Sequence, residues 1–127
     1  MPGLLGVSGR REMAGGEHGP VYLEITSTGS PRGFRLEGEL DVSTAPSLVE
    51  TLEPELREGG DLTLDLEDLS FMDSVGLLTI ITAARRLLSR GNLILLHPGN
   101  LVRSLLQLGV GMNKIPNLVV VDDESRA

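Results

Sequence analysis

The stretch Phe71-Met72-Asp73-Ser74-Val75-Gly76-Leu77 sets a serine hydroxyl beside a carboxylate, directly ahead of the strongest helical pattern in the chain. Leu77, Ile80, Ile81, Ala84, Leu87 and Leu88 recur at helical spacing and predict a helix over 75–90 with a broad apolar face. Ser74 then falls at a helix N-terminus, where the first amides lack intrahelical partners and the dipole favours negative charge. A phosphate on Ser74 would add roughly −1.5 to −2 charge at neutral pH. The helix end would help to hold that charge, while outwardly it would enlarge an acidic patch formed by Asp73 and Asp41. A partner docking an acidic or apolar surface there would be repelled. The same hydroxyl is equally suited to cap the helix, a role worth about 1 kcal/mol. Gly76 costs roughly 1 kcal/mol inside a helix. Its presence fits either close approach of a second molecule to the backbone or tight internal packing.

The elements that position this segment follow from periodicity. Val21, Leu23 and Ile25 alternate with polar residues, and Phe34, Leu36 and Leu40 mark a second strand after the turn cluster Gly29-Ser30-Pro31-Arg32-Gly33, which together predict an antiparallel hairpin. Ser43 or Thr44 can cap a helix carrying Leu48, Val49, Leu52 and Leu56, with Pro46 tolerated in its first turn and Pro54 predicting a kink or an end near Glu53. Leu62-Thr63-Leu64-Asp65-Leu66 reads as a third strand, ending near Leu66. Leu93 to His97 is a continuous apolar run, fitting a strand covered on both faces. A helix over about 101–108, stopped by Gly109, leads to a last strand at Leu118-Val119-Val120-Val121. The order ββαβαβαβ predicts an α/β domain over residues 21–122, with a mixed, mostly parallel five-stranded sheet and helices packed against it. Residues 1–20, with six glycines and two prolines, read as a flexible N-terminal tail in which Met13 is an alternative start, and 123–127 as a short acidic C-terminal tail.

Composition narrows the function classes. The chain has 127 residues, enough for one domain with its own core, and no cysteine, which removes disulfides, thiolate metal sites and cysteine nucleophiles together. The net charge of −7, with ten of eleven basic residues arginine, disfavours nucleic acid and anionic membranes as partners. With aromatics at 2%, there are no stacking platforms for single strands. No stretch reaches the ~20 apolar residues of a membrane span. The N-terminus lacks the pattern of a signal peptide, so the expectation is a cytoplasmic protein.

Other chemistry finds little support. Asp61, Asp65, Glu67 and Asp68 would need to converge to hold a hard cation, but Glu67 and Asp68 fall in the loop predicted after Leu66, and EF-hand spacing is absent. His18 and His97 have no partner at metal-ligand spacing, and no glycine-rich phosphate loop opens a helix. No cofactor is expected. A receiver domain would need paired acids at the first strand and a lysine after a later one, whereas Lys114 precedes the last strand.

Gly38-Glu39-Leu40-Asp41 followed by Thr44-Ala45, then Leu64-Asp65-Leu66, then Asp73-Ser74-Val75-Gly76-Leu77, resembles the STAS domain family, and within it the bacterial anti-sigma factor antagonists. The likeness spans about residues 21–122. It implies a non-enzymatic protein switch with Ser74 as the phosphoacceptor of an anti-sigma factor that has serine kinase activity. The unphosphorylated form would bind that factor and free the sigma factor, and a separate phosphatase would restore it. Asp41, Asp73, Ser74, Val75, Gly76 and Leu77 would form the partner-binding surface. Many relatives carry a second serine where this chain has Val75. Two further roles remain open at this stage: a STAS interaction subunit of another assembly (a stressosome or a lipid transporter), and a small-molecule or nucleotide sensor. The oligomeric state is not readable from the sequence.

Overall fold

In the computed structural model, residues 6–8 and 22–121 are described, those at 6–8 and 110–113 by their backbone alone. The elements run β1 (Gly6–Ser8), β2 (Leu23–Thr28), β3 (Gly33–Leu40), α1 (Ala45–Glu58), β4 (Leu62–Met72), α2 (Ser74–Arg86), β5 (Leu93–Leu96), α3 (Asn100–Asn113) and β6 (Leu118–Val121). From β2 onward this is the expected ββαβαβαβ order. β1 falls in the stretch read as a tail and adds a sixth strand, antiparallel to β2 with Val7 opposite Ile25. The rest of the predicted tails, with Met13 and His18, lies outside the described residues, as do Val21 and Asp122, the ends expected for the domain.

The strands lie side by side in chain order, β1 to β6. β2 and β3 form the expected antiparallel hairpin, and β3, β4, β5 and β6 run parallel to one another. Each parallel step is bridged by one helix. Right-handed crossovers that always advance in the same direction put all their helices on one face of the sheet. Burial follows that rule: Leu23, Ile25, Leu36, Leu40, Leu64, Leu93 and Leu95 point into the core, as do Leu48 and Leu52 of α1, Ile80 and Ala84 of α2 and Val102 and Leu106 of α3. Each fully buried leucine contributes roughly 1.5–3 kcal/mol relative to exposure. Among the described residues no helix covers the opposite face, and β5 alternates between buried Leu93 and Leu95 and half-buried Ile94 and Leu96. The apolar run at 93–97 is therefore not a strand fully covered on both faces.

Four boundaries differ from those expected. α1 does not end at Glu53 but continues through Pro54 to Glu58. Pro54 and Glu50, whose carbonyl loses its helical partner to the proline, are both exposed, so water can replace the missing bond. Two arginines also hold the far end of α1. Arg32 donates to the Glu55 carbonyl at 3.1 Å and the Gly59 carbonyl at 3.0 Å, and Arg90 donates to the Leu56 carbonyl at 2.6 Å. Cations and donors at a helix C-terminus satisfy its orphan carbonyls, and the guanidinium fork can serve several at once.

β4 does not stop near Leu66 but runs eleven residues to Met72, staying paired with β3 across two register shifts. Glu67 and Asp68 are thus strand residues. Finally, α3 passes through Gly109 to Asn113. A Cβ at Gly109 would lie 2.5 Å from Leu77 Cδ2, so this glycine lets α3 approach α2 and does not terminate the helix. α2 itself ends at Arg86, four residues before the expected stop, and Ser89 adopts a left-handed backbone (φ 72°) in the turn that follows.

Candidate functional site

The carboxyl ends of β3 and β4 open onto one edge of the sheet, where α1 and α2 begin. Loops at such an edge collect binding groups because the strands fix them while the chain above remains accessible. Here two acidic residues organise the backbone. Asp41 ends β3 in a tight turn: its Oδ1 accepts the Ser43 amide at 2.9 Å, the Ser43 hydroxyl at 2.7 Å and the Thr44 amide at 3.2 Å. Thr44 occupies the N-cap position of α1, yet its buried hydroxyl turns back to the strand, donating to the Glu39 carbonyl at 2.8 Å and accepting the Asp41 amide at 2.9 Å. Neither Ser43 nor Thr44 therefore caps α1 through its side chain.

At α2 the cap is Asp73. Its Oδ1 accepts the Gly76 amide at 2.9 Å, and its carbonyl accepts the Leu77 amide at 2.9 Å. Its Oδ2 accepts the Val42 amide at 3.2 Å, so one carboxylate ties the β3–α1 loop to the first turn of α2. Ser74, the first helical residue, is exposed, and among the described residues no hydrogen bond involves its side chain. The capping role left open by the sequence belongs to its neighbour.

Gly76 is buried beneath this turn. A Cβ there would stand 2.5 Å from the Leu40 carbonyl oxygen and 2.9 Å from Met72 Cγ. Internal packing, and not an approaching ligand, accounts for the glycine. Of the residues expected at a partner surface, Ser74 and Val75 are exposed and Asp41 and Asp73 half-buried, whereas Gly76 is buried and Leu77 packs partly against the core. Val42, Val49 and Leu78 were not singled out for this surface, although they are exposed beside it. Val49 fits the apolar spacing of α1, and that spacing conceals its exposure.

Farther along the helices, Arg86 of α2 donates to Glu53 of α1 at 2.6 and 3.1 Å, and Arg57 adds a contact of 3.4 Å. The hydrogen bonds from Arg86, followed by its charge and by Arg57, hold the Glu53 carboxyl below its ordinary range, and the Arg86 guanidinium is shifted upward in turn. The other acids do not converge. Asp61 accepts the Asn92 amide at 2.8 Å, Asp65 the Glu67 amide at 3.1 Å, and Asp68 pairs with Arg35. Among the described residues no acidic or histidine group is arranged to hold a metal ion, and no helix is long and apolar enough to cross a membrane. His97 lies half-buried at the end of β5.

The family description "STAS domain" matches residues 22–119. The chain is 37% identical over 88 residues to the anti-sigma-B factor antagonist of Bacillus subtilis (strain 168), which covers 69% of this chain and 79% of that protein. Among solved structures it resembles the anti-sigma factor antagonist SpoIIAA in its unphosphorylated form, with a TM-score of 0.62 and 24% identity over 82% of this chain and 91% of that one. It also resembles the Bacillus cell fate determinant SpoIIAA in the phosphorylated form, with a TM-score of 0.57 and 23% identity over 82% and 95% of the two chains. At those identities the structural likeness establishes the fold.

Proposed function

The chain belongs to the STAS domain family, and from that premise we propose that it acts as an anti-sigma factor antagonist switched by phosphorylation of Ser74. The observation that carries this reading is the exposed Ser74, whose hydroxyl has no hydrogen bond among the described residues, on a helix start already capped by Asp73. A hydroxyl free of structural duty can be modified without dismantling the helix. In the unphosphorylated state the protein binds an anti-sigma factor and thereby frees the sigma factor.

In the proposed reaction the Ser74 Oγ attacks the γ-phosphorus of ATP held by the anti-sigma factor. The bond from that phosphorus to the bridging β–γ oxygen breaks, ADP leaves, and the hydroxyl proton passes to a base on the kinase. Among the described residues no side chain hydrogen-bonds to the Ser74 hydroxyl, and in this scheme the chain is the substrate and the anti-sigma factor the catalyst. A phosphatase returns the hydroxyl by hydrolysis, releasing inorganic phosphate.

The modification works through desolvation. Val75 follows Ser74 and Val42 is tied to Asp73 through its amide, and both present exposed aliphatic surface. Pressing an apolar partner surface onto a phosphate of roughly −1.5 to −2 charge strips its hydration, a penalty on the order of several kcal/mol per ion. Each 1.4 kcal/mol is about tenfold in affinity, so one phosphate suffices to release the partner while the fold persists.

The direct test is to incubate the protein with an anti-sigma factor of its source genome and ATP, then locate phosphate by mass spectrometry. Phosphate is expected on Ser74 and absent from Ser74→Ala. Phosphate confined to other residues would overturn the assignment.

A further inference from the structure

The outer side of the α1–α2 pair carries aliphatic side chains that the core does not use. Val42 is 64% exposed, Leu78 58%, Val49 49% and Val75 39%. They are contiguous. Val42, Val49 and Val75 line a cleft of about 630 Å³ together with Glu50, and Val49 and Val75 continue into a second hollow of about 210 Å³ that includes Leu78 and ends at Arg86. Val49 and Val75 line both hollows, which makes them one furrow between the helices, and Val75 is the residue directly after Ser74.

Sequence spacing makes this furrow. On α2, Val75, Leu78, Thr79, Thr82 and Arg86 form a stripe at intervals of three and four, separate from the buried stripe that includes Ile80, Ala84 and Leu87. The short threonines leave open the space that larger side chains would fill. Isolated exposed aliphatics are ordinary, but a continuous apolar furrow with a polar rim marks a docking surface.

The rim charges point to the occupant. Glu53 is already committed to Arg86 and Arg57. The carboxylates of Asp41 and Asp73 are spent on backbone amides. Glu50 lines the cleft and is exposed, and among the described residues its side chain has neither a hydrogen bond nor an ion pair. A groove between two helices accepts the ridge of a third, read out by side chains at successive turns.

We infer that the furrow receives an amphipathic helix of the anti-sigma factor. Aliphatic side chains of that helix seat against Val42, Val49, Val75 and Leu78, and an arginine or lysine meets Glu50. This rests on the reading of Ser74 given above, and it explains how a phosphate there acts: the charge lands next to Val75, which lines both hollows of the apolar groove.

The test measures binding of the purified anti-sigma factor to the full-length chain and to Val49→Asp, Leu78→Asp, Glu50→Lys and Ser74→Asp, with thermal melts confirming that each is folded. Val49→Asp and Leu78→Asp should each weaken binding by at least about tenfold. Glu50→Lys should also weaken it, and Glu50→Gln should flatten its salt dependence. If Ser74→Asp weakens binding while both furrow variants bind like the parent, the furrow inference is wrong and the switch stands. If the furrow variants weaken binding and Ser74→Asp does not, the furrow stands and charge at Ser74 is not the switch. A parent chain that fails to bind the factor would overturn both. A dimer of the chain alone, dissolved by Leu78→Asp, would assign the furrow to a second copy and overturn the inference.

Discussion

Asp73 caps α2 on Gly76, its Oδ1 accepting the Gly76 amide at 2.9 Å, so the serine that follows the aspartate is not needed to hold the helix. The two residues divide the work: the carboxylate satisfies the backbone and the hydroxyl remains open to chemistry. Ser74→Ala should therefore change the unfolding free energy by less than about 0.5 kcal/mol, the usual range for surface substitutions. Asp73→Ala should cost about 1–2 kcal/mol through loss of the cap. Urea unfolding of the two variants reads this directly, and a larger loss for Ser74→Ala would reverse the assignment.

Gly76→Ala sets helix propensity against packing. Alanine is favoured over glycine by about 1 kcal/mol in a helix interior. Its methyl group, however, would press on the Leu40 carbonyl at 2.5 Å and on Met72. Overpacking of a core typically costs roughly 1–3 kcal/mol. The variant should be less stable than the parent in denaturant titration; a gain in stability would show that the first turn of α2 can move.

Asp41 allows charge and geometry to be told apart. Its Oδ1 accepts three hydrogen bonds from Ser43 and Thr44, shaping the loop that carries Val42. Asparagine keeps that oxygen without the charge. Asp41→Asn should retain most of the stability that Asp41→Ala loses, at about 1 kcal/mol per hydrogen bond removed. Equal losses in thermal melts would assign the role to the charge.

The link between α1 and α2 through Glu53 and Arg86 is pH-dependent. Hydrogen bonds from Arg86, together with the charges of Arg86 and Arg57, lower the Glu53 pKa in the folded state. Protons are then bound more tightly by the unfolded chain. The contribution is present above the ordinary carboxylate pKa of about 4.3 and disappears as pH falls through the lowered folded value. Both partners are exposed, so the effect is small and screened by salt. The melting-temperature difference between the parent and Glu53→Gln should be positive near neutral pH and should vanish in acid. A difference independent of pH would mean that the pair contributes through packing alone.

Much of this was legible in the sequence because the chain is locally consistent. Alternating residues at Leu23 and Ile25 and at Phe34 and Leu36 gave the hairpin, and helical spacing after Ser74 placed α2 and its N-terminal serine. What escaped was set by tertiary contacts. Pro54 reads as a helix breaker until Arg32 and Arg90 are seen gripping the end of α1. Gly109 reads as a stop until Leu77 is seen against it. Residues 67–72 look like a loop because their polar members face away from the core, whereas pairing with β3 extends the strand through them. At the site, an aspartate and a serine in sequence are both good caps, and only the observed Asp73–Gly76 bond decides between them. The apolar furrow was hidden because Val49 shares the periodicity of a buried face.

The most direct measurement compares the affinity of the anti-sigma factor for the unphosphorylated protein and for the same protein stoichiometrically phosphorylated on Ser74, by calorimetry with both forms confirmed folded. The unphosphorylated form should bind at least about 100-fold more tightly, the equivalent of roughly 2.8 kcal/mol. Equal affinity for the two forms would contradict a switch at Ser74.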